Sequence, residues 1–292
     1  MRRLVVSVCL AGALAVASPG AQAPKKNFLW TVRAPGAPPT YLMGSLHVLT
    51  PEYYPLSPAI EHAFAQAKVL IAEVDLDEMT SPATALSLVG KATLTEGRTL
   101  GQVISAELYA KVVARAETAG LPAAALQRMK PWMAALALTT PALAAAGFNA
   151  DLGLDRHFSD RAKKAGLERR ALETVAFQID RLDQMTSVQQ EAMLRSTIDD
   201  LDTQLTNVRT MADAWARGDA PALEALLLGA MASSPELYQR LLVERNQSWV
   251  EPVEVCLKQK TSCFVVVGAA HLVGPDSLVA MLRKKGHTVE QQ

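Results

Sequence analysis

Residues 263–271 read Cys-Phe-Val-Val-Val-Gly-Ala-Ala-His, an apolar run that ends in a histidine. Apolar residues that follow one another without polar alternation predict a strand that is buried on both faces, inside a sheet. An amphipathic pattern over residues 275–285 predicts a helix after this strand, and residues 287–290 predict a final edge strand. The C-terminal stretch therefore indicates a sheet that is covered by helices.

The residues that follow the N-terminal segment predict further strands of that sheet. Residues 28–32 and 40–44 are strand-like and flank a turn rich in Pro and Gly, which predicts an antiparallel hairpin. Ser57 and Pro58 have the form of an N-cap and a first-turn proline, so a helix is expected to continue over residues 60–67. Residues 69–75 then predict an apolar strand that becomes acidic at its C-terminal end.

The middle of the chain has a different composition. Residues 82–165 are rich in Ala and Leu and predict several helices, with breaks at residues 120–122 and 130–131. A short strand is predicted at residues 169–173, and helices resume over residues 177–251. The length of the chain suits one large domain, or one core with a big insertion.

The N-terminal segment has the three parts of a secretory signal peptide. Arg2 and Arg3 supply positive charge, residues 4–17 form an apolar run, and Ala21-Gln22-Ala23 is a small-x-small cleavage site. The run is shorter than the roughly 20 apolar residues that span a bilayer, and an uncleaved membrane anchor is the alternative. We therefore expect residues 1–23 to be removed, leaving a periplasmic or secreted chain, residues 24–292, without a stable membrane span.

Charge and cysteine usage narrow the class of protein further. Lys+Arg and Asp+Glu both number 29, so the chain lacks the basic excess of a nucleic-acid-binding protein. Cys256 and Cys263 remain once Cys9 is removed with the signal segment. In an oxidising compartment these two residues predict a local disulfide, with two unpaired, partly buried thiols as the alternative.

The form G-x-x-H occurs twice, at Gly44–His47 and at Gly268–His271, each time at the end of an apolar strand. In such sheets, ligands and active residues gather outside the C-terminal ends of the strands, where Glu73 and Asp75 are also expected on one strand face. Two histidines and a carboxylate suit Zn, Mn, Co or Fe with an open position for water. The alternatives are structural, hydrogen-bonded histidines and solvated carboxylates.

The other histidines and the common catalytic motifs add no further site. His62 and His157 fall within predicted helices and His287 follows a helix-ending glycine, so all three are expected to be structural or surface groups. The sequence contains no G-x-S-x-G, H-E-x-x-H, Walker-type or G-x-G-x-x-G motif. Serine-hydrolase, zincin, P-loop and dinucleotide-binding functions therefore have no support.

Taken in order, several short segments resemble the TraB/PrgY/GumN family, which includes the Tiki ectodomain proteases. The segments run through nearly the whole mature chain and are residues 28–30, 41–47, 72–75, 153–155, 172–174 with Gln178 following, 244–246 and 264–274. The resemblance implies an α+β fold similar to that of erythromycin-esterase and ChaN-like proteins. In that fold a mixed central sheet carries a large all-helical insertion, here expected at about residues 80–250.

The resemblance also implies roles for particular residues. The paired G-x-x-H motifs fall on His47 and His271, and the acidic strand-end residue falls on Glu73, so these three are expected to hold a divalent metal. Glu173 is expected to orient a histidine or to act as a general base, or else to form a salt bridge. Arg245, with Asn246 beside it, is expected either to bind a substrate carboxylate or to pair with Glu173.

These inferences lead to one leading hypothesis and two alternatives. The leading hypothesis is an extracytoplasmic metal-dependent hydrolase of the Tiki type, acting on peptide bonds with Mn, Co, Zn or Fe, in which Glu73 or Glu173 transfers protons. The first alternative is a metal-free hydrolase in which a histidine activates water. The second alternative is a non-enzymatic protein that binds haem, metal or a peptide. A shared fold does not decide among them.

Overall fold

The structure is a computed structural model that describes residues 26–229, 231, 234–259 and 261–292, without the side chains of Asp200 and Gln204. The predicted signal segment, residues 1–23, and its cleavage position lie outside the described residues. Within the described part of the chain, no helix has the length and apolar character needed to cross a membrane.

Six strands form one mixed sheet. The strands are β1 (Leu29–Arg33), β2 (Thr40–Ser45), β3 (Val69–Ala72), β4 (Glu168–Ala171), β5 (Cys263–Gly268) and β6 (Thr288–Gln291). Their order in the sheet is β4-β3-β5-β2-β1-β6. β4, β3, β5 and β2 run parallel, whereas β1 is antiparallel to both β2 and β6. The predicted β1–β2 hairpin, the buried strand β5 and the edge strand β6 are thereby confirmed.

β5 lies in the middle of the parallel part of the sheet. It pairs with β2 on one side and with β3 on the other, and all six of its residues are buried. Its register places Ser45 beside Gly268 and Ala72 beside Val266. Because the three strands are parallel, their C-terminal ends meet at the same edge of the sheet, where ligand sites of such sheets form.

Fourteen α-helices lie in the described part of the chain. They are α1 (Pro58–Gln66), α2 (Leu76–Met79), α3 (Pro82–Ala92), α4 (Leu100–Val103), α5 (Ala106–Thr118), α6 (Ala123–Leu126), α7 (Pro131–Ala145), α8 (Leu154–Ala165), α9 (Val175–Asp183), α10 (Ser187–Ala216), α11 (Ala220–Gly229), α12 (Pro235–Tyr238), α13 (Glu244–Lys258) and α14 (Leu278–Lys284). Short 3₁₀ segments occupy Pro51–Tyr53, Ala150–Leu152 and Ala269–Leu272, and a π turn occupies Gln239–Val243.

Several helix ends follow directly from local sequence. The Ser57 hydroxyl accepts the N–H of Ile60, and Pro58 is the first residue of α1. This is the predicted cap, and it satisfies a backbone donor that the helix leaves free. α8 ends at Gly166, whose φ of +67° is a left-handed conformation that suits glycine. The predicted breaks near Gly120 and Pro131 also separate helices.

Two larger hydrophobic clusters stabilise the two parts of the fold. The main core packs against the sheet, and its largest fully buried side chains include Phe28, Phe158, Trp249 and Phe264. A second cluster joins α4–α7 to α10, where Leu108, Leu138 and Leu194 are buried. Much of the helical region therefore has an apolar centre of its own, which supports the stability of these helices independently of the sheet.

The predicted α+β fold with a mixed sheet is confirmed, and two details differ. β4 is the short strand predicted near residues 169–173 and belongs to the sheet, so residues 80–250 are not the all-helical insertion that the resemblance implied. β3 ends at Ala72, and the Asp75 side chain accepts the N–H of Asp77 at the start of α2. Glu73 and Asp75 therefore do not share a strand face, because the chain leaves the strand before period-2 alternation reaches Asp75.

Cys256 and Cys263 lie close to the middle of the sheet. Cys256 is on α13, Cys263 begins β5, and their Sγ atoms are bonded, with the Cα atoms 6.2 Å apart. Both residues are fully buried. The bond joins the end of a long helix to the start of the central strand, at the opposite end of that strand from Gly268.

Candidate functional site

Side chains from three neighbouring strand ends converge on Gly268. A Cβ atom placed on Gly268 would lie 3.3 Å from Glu73 Oε1, 3.6 Å from His47 Nε2 and 3.6 Å from His271 Cδ2. The absence of a side chain at this position lets all three groups approach the backbone of β5 closely. The two G-x-x-H motifs and the acidic strand end therefore meet at one place.

Gly44, the glycine of the other G-x-x-H motif, has a different structural role. A Cβ atom on Gly44 would lie 2.2 Å from Cδ1 of Phe28, inside the core rather than beside His47. The carbonyl of Gly44 also accepts the indole N–H of Trp215 at 2.8 Å. Gly44 is therefore required for packing between the sheet and the helices, and it does not line the site.

His47 is held at one ring nitrogen and free at the other. Its Nδ1 lies 2.8 Å from Oδ2 of Asp155, and the Ser45 hydroxyl donates to Oδ1 of the same carboxylate at 2.8 Å. Since a carboxylate only accepts, Nδ1 carries a hydrogen and donates it, which leaves Nε2 as the acceptor of the neutral ring. Among the described residues, Nε2 has no hydrogen-bond partner, and the side chain is 70 % exposed.

The backbone around α8 explains how Asp155 reaches His47. The N–H of Leu154 donates to the carbonyl of Leu46 at 3.0 Å, and a Cβ atom on Gly153 would lie 2.2 Å from the carbonyl oxygen of His47. Only a glycine allows the start of α8 to approach the end of β2 this closely. The first turn of a helix also favours a negative charge, which suits Asp155 at that position.

The charge of Asp155 decides the protonation of His47. The Asp155 carboxylate, by its charge and then by its hydrogen bond, raises the pKa of His47 to about 9, against a lowering by desolvation in the cavity. Glu73 also raises this pKa, and Arg245 lowers it. His47 is therefore mainly an imidazolium at neutral pH.

His271 is buried and fully engaged. Its Nδ1 lies 2.7 Å from Oδ1 of Asn246, its Nε2 lies 3.1 Å from Nη1 of Arg245, and its ring packs against Trp249 at 4.4 Å between centroids. The Asn246 amide donates to the carbonyl of Asp276 at 2.8 Å, which directs its oxygen toward His271. Nδ1 therefore donates, and the Nε2 lone pair accepts from Arg245.

Burial is the main influence on the charge of His271. Burial lowers the pKa of His271 to about 3; the charge of Glu73 opposes this change, and Arg245 and His47 reinforce it. The ring is consequently neutral at physiological pH, consistent with its acceptor role toward a guanidinium.

Arg245 lies between two carboxylates and His271. Its Nη2 donates to Glu73 Oε2 at 2.5 Å and to Glu173 Oε1 at 2.7 Å, and its Nε lies 3.1 Å from Glu173 Oε2. The guanidinium also lies over the ring of Trp249, 4.6 Å from its centroid. Pairing with Glu173, one of the two roles predicted for Arg245, is thus present in the structure.

The two buried carboxyl groups respond differently to this environment. Burial tends to raise the pKa of Glu73, but His271 in its protonated form, the charges of Arg245 and His47, and the N–H of Gly268 at 2.6 Å lower it to about 2. Burial raises the pKa of Glu173, although Arg245 counteracts this change. Glu73 is thus a weak proton acceptor, and Glu173 is the carboxyl group more easily protonated.

These groups form the floor of a cavity of about 750 Å³. His47, Glu73, Arg245 and His271 line it, whereas Glu173 and Asn246 lie behind that lining. The walls are mostly apolar and include Leu46, Val74, Leu76, Met79, Leu136, Leu182, Leu227, Met231, Leu241 and Leu242. A large apolar pocket with a few convergent polar groups is the usual form of a ligand or active site.

The predicted metal ligands do not fit a divalent ion as they are arranged. Arg245 donates to Glu73 Oε2 and to His271 Nε2, so a cation already contacts two of the three predicted ligands. Of the three predicted ligands, only His47 has a ring nitrogen, Nε2, without a hydrogen-bond partner among the described residues, and this nitrogen carries a proton in the imidazolium that prevails at neutral pH. Among the described residues, no three His, Cys, Asp or Glu side chains are grouped as a metal site. An ion held by this trio would have to displace Arg245.

Three site residues were not assigned a role from the sequence: Asp155, Ser45 and Gln178. Asp155 and Ser45 form the contacts to His47 described above, and the Gln178 amide donates to Glu73 Oε2 at 3.1 Å and Glu173 Oε1 at 3.2 Å. An acidic residue in the first turn after Gly153 was the available signal for Asp155. His62, His157 and His287 contact Gln66, Arg161 and Glu254 outside the cavity lining, as expected of structural groups.

Comparisons with known proteins agree with the family resemblance that the sequence segments indicated. The chain is 24 % identical to the uncharacterized protein YbaP of Shigella flexneri over 252 residues, which cover 86 % of this chain and 90 % of that protein. The Escherichia coli K12 protein of the same name has the same identity and coverage. No solved structure matches the chain.

A third relative has a name that states an activity. The protein Metalloprotease TIKI2 of Danio rerio is 24 % identical over 324 residues, covering 93 % of this chain, and the match spans 62 % of that longer protein. The sequence model of the TraB/PrgY/gumN family matches residues 28–291, which include every strand and every side chain of the site. The chain therefore belongs to the TraB/PrgY/gumN family.

Proposed function

We propose that this chain is a hydrolase of peptide or related bonds that acts outside the cytoplasm, with His47 as the proton-transferring group. One observation carries the proposal: His47 presents a free Nε2 in an apolar-walled cavity while Asp155 holds its Nδ1. A histidine that is oriented by a carboxylate and open to a cavity is the arrangement that general acid–base catalysis requires.

The contacts of His47 suggest how each step of the reaction proceeds. In its neutral form, His47 takes a proton at Nε2 from a water molecule that attacks the substrate carbonyl. The resulting imidazolium is stabilised by Asp155 and returns the proton to the leaving group. Because the pKa of His47 is raised to about 9, proton donation is favoured and the neutral base is the minor form at pH 7.

The buried groups behind His47 have positioning roles in this proposal. Glu73, with its lowered pKa, remains ionised and supplies a fixed negative charge near the imidazolium. Glu173 and Asn246 do not line the cavity; they hold Arg245 and His271. The predicted proton transfer by Glu73 or Glu173 is therefore assigned to His47 instead.

A second candidate is the metal-dependent hydrolase of the leading sequence hypothesis. It is supported by the similarity to Metalloprotease TIKI2 and by the convergence of His47, Glu73 and His271 around Gly268. It requires Arg245 to leave both Glu73 and His271, because the guanidinium contacts the atoms that would bind the ion.

A chelator-controlled peptidase assay distinguishes these candidates. Mature chain, His47→Ala and the control His62→Ala are incubated with a fluorogenic peptide library, with and without 1,10-phenanthroline. We expect turnover that resists the chelator, falls about 10²–10⁴-fold in His47→Ala and is unchanged in His62→Ala. Chelator-sensitive turnover restored by Mn or Co would favour the second candidate. The absence of turnover under every condition would reject both.

Export is a separate part of the proposal and rests on residues 1–23. Expression of the full chain in a bacterial host, followed by fractionation and N-terminal sequencing, tests it. We expect the protein outside the cytoplasm with Pro24 as its first residue. Cytoplasmic protein that begins at Met1 would contradict the expectation.

A further inference from the structure

We propose that Arg245 is the resident cation of this centre. It occupies the carboxylate oxygens of Glu73 and Glu173 and the Nε2 nitrogen of His271, which would otherwise bind a divalent ion. It follows that the native chain takes up no divalent ion at these atoms. It also follows that removal of the guanidinium creates a metal site. The inference concerns cation binding and does not depend on whether the chain hydrolyses any substrate.

The hydrogen bonds of Arg245 account for its whole donor capacity. An arginine has five N–H donors. Nε donates to Glu173, Nη2 donates to Glu73 and Glu173, and Nη1 donates to the carbonyl of Leu241 at 3.1 Å and to His271 Nε2 at 3.1 Å. No donor remains for a substrate carboxylate, so Arg245 is a built-in part of the site rather than a substrate-binding group.

The groups around the guanidinium are of the kind that bind first-row divalent metals. Two carboxylates and a neutral imidazole form an O/N set suited to Mn, Co, Zn or Fe. All three side chains are nearly inaccessible, and Arg245 itself is only 9 % exposed. Because a guanidinium does not lose its proton in a protein, it balances this negative charge at every physiological pH.

His271 cannot serve as a metal ligand while this arrangement persists. Its Nδ1 hydrogen is committed to Asn246, and the Nε2 lone pair is directed at Arg245. An ion at Nε2 would break the bond to Arg245 and place a dication in contact with a guanidinium, with little solvent to screen the repulsion. The lone pair of His271 is instead the acceptor that fixes the orientation of Arg245.

Metal uptake by the mature chain and its variants tests the proposal without any substrate. Wild type, Arg245→Met, Arg245→Met/His271→Ala and the control Arg181→Met are titrated with Co²⁺, followed by calorimetry and visible absorption. Arg181 is a suitable control because it also lines the cavity but pairs with Glu244 rather than with Glu73. Of the four proteins, only Arg245→Met should bind about one equivalent of Co²⁺, and its Tm should rise with the Co²⁺ concentration.

Two results would overturn the proposal. One is about one equivalent of Co²⁺ in the wild type that is lost in a His271→Ala single variant titrated alongside it. The other is a folded Arg245→Met variant that takes up no ion. If Arg245→Met does not fold, ¹⁵N NMR of the wild-type imidazoles decides: His271 Nε2 should keep its acceptor shift when Zn²⁺ is added, and a shift of that resonance would contradict the proposal.

Discussion

His47 and His271 follow a glycine by three positions at the ends of neighbouring parallel strands, yet their environments are opposite. The side chain of His47 is 70 % exposed in the cavity and is held by the anion Asp155. The side chain of His271 is 4 % exposed and contacts the cation Arg245. Their pKa values move apart accordingly, to about 9 for His47 and to about 3 for His271.

The difference shows that one motif places two histidines without assigning them one role. After β2 the chain passes the start of α8, and Asp155 in the first turn of this helix contacts His47. After β5 the chain forms a 3₁₀ turn that directs His271 beneath α13, against Arg245, Asn246 and Trp249. A nearby opposite charge favours an ionised imidazole, whereas burial and a like charge disfavour it.

The largest expected effect separates the two histidines by function. His47→Ala should lower kcat about 10²–10⁴-fold, because the proton-transferring group is lost. Its free energy of unfolding should fall less than that of His271→Ala, because the His47 side chain is 70 % exposed and solvent screens its ion pair with Asp155. His271→Ala should instead lower the stability, since Asn246 and Arg245 lose a buried partner. Steady-state kinetics and urea unfolding of both variants provide the measurement, and equal effects on stability would refute the contrast.

The Arg245→Met variant should show the next largest effect. It removes the positive charge that contacts His271. The free energy of unfolding should fall by about 3–5 kcal/mol, because Glu73 and Glu173 are left buried without their cation. Arg181→Met, whose partner Glu244 is half exposed, should cost about 1 kcal/mol or less. Urea unfolding of the two variants side by side checks this prediction. A cost for Arg245→Met no larger than that for Arg181→Met would contradict it.

The Asp155→Asn variant tests whether the Asp155 carboxylate raises the pKa of His47. Without the carboxylate, the pKa of His47 should fall from about 9 toward the ordinary 6.5 of a histidine. The pKa of His271 should stay low, because Asp155 is not among the groups that shift it. An NMR titration of the imidazole resonances measures both values. Ser45→Ala, which keeps the carboxylate, is the control, and an unchanged pKa in Asp155→Asn would reject the assignment.

The smallest expected effect is a fall in the free energy of unfolding both at acid pH and at alkaline pH. The folded pKa of His271 is depressed below 6.5, so the unfolded chain binds the proton first, and stability is lost as the pH falls from 6.5 toward 3. Glu73, also depressed, adds to this loss below pH 4.5. The folded pKa of His47 is raised, so its contribution is present below pH 6.5 and is lost as the pH rises through 9.

Variants assign each side of this pH dependence to one histidine. Urea unfolding of the wild type between pH 4 and pH 10 is compared with that of His271→Asn and Asp155→Asn. His271→Asn should flatten the acid side by roughly 2 kcal/mol between pH 7 and pH 5. Asp155→Asn should flatten only the alkaline side. An acid side that persists unchanged in His271→Asn would show that other groups cause it.

Local sequence patterns were sufficient for most of the fold. The apolar run of β5, the hairpin of β1 and β2, and the Ser57–Pro58 cap were predicted and are present in the structure. Each of these depends on residues that are neighbours along the chain. The end of β3 was predicted three residues too late, because the Asp75 cap of α2 competes with strand alternation there.

By itself, the sequence determined which strand ends carry histidines and a carboxylate, and therefore that His47, Glu73 and His271 come together. Only the tertiary structure decided what each of them does. Asp155, more than a hundred positions after His47, and Arg245, 26 positions before His271, determine the charge and hydrogen bonding of the two rings. The physical reason is that strand periodicity is a property of adjacent residues, whereas a pKa or an occupied lone pair depends on neighbours in space.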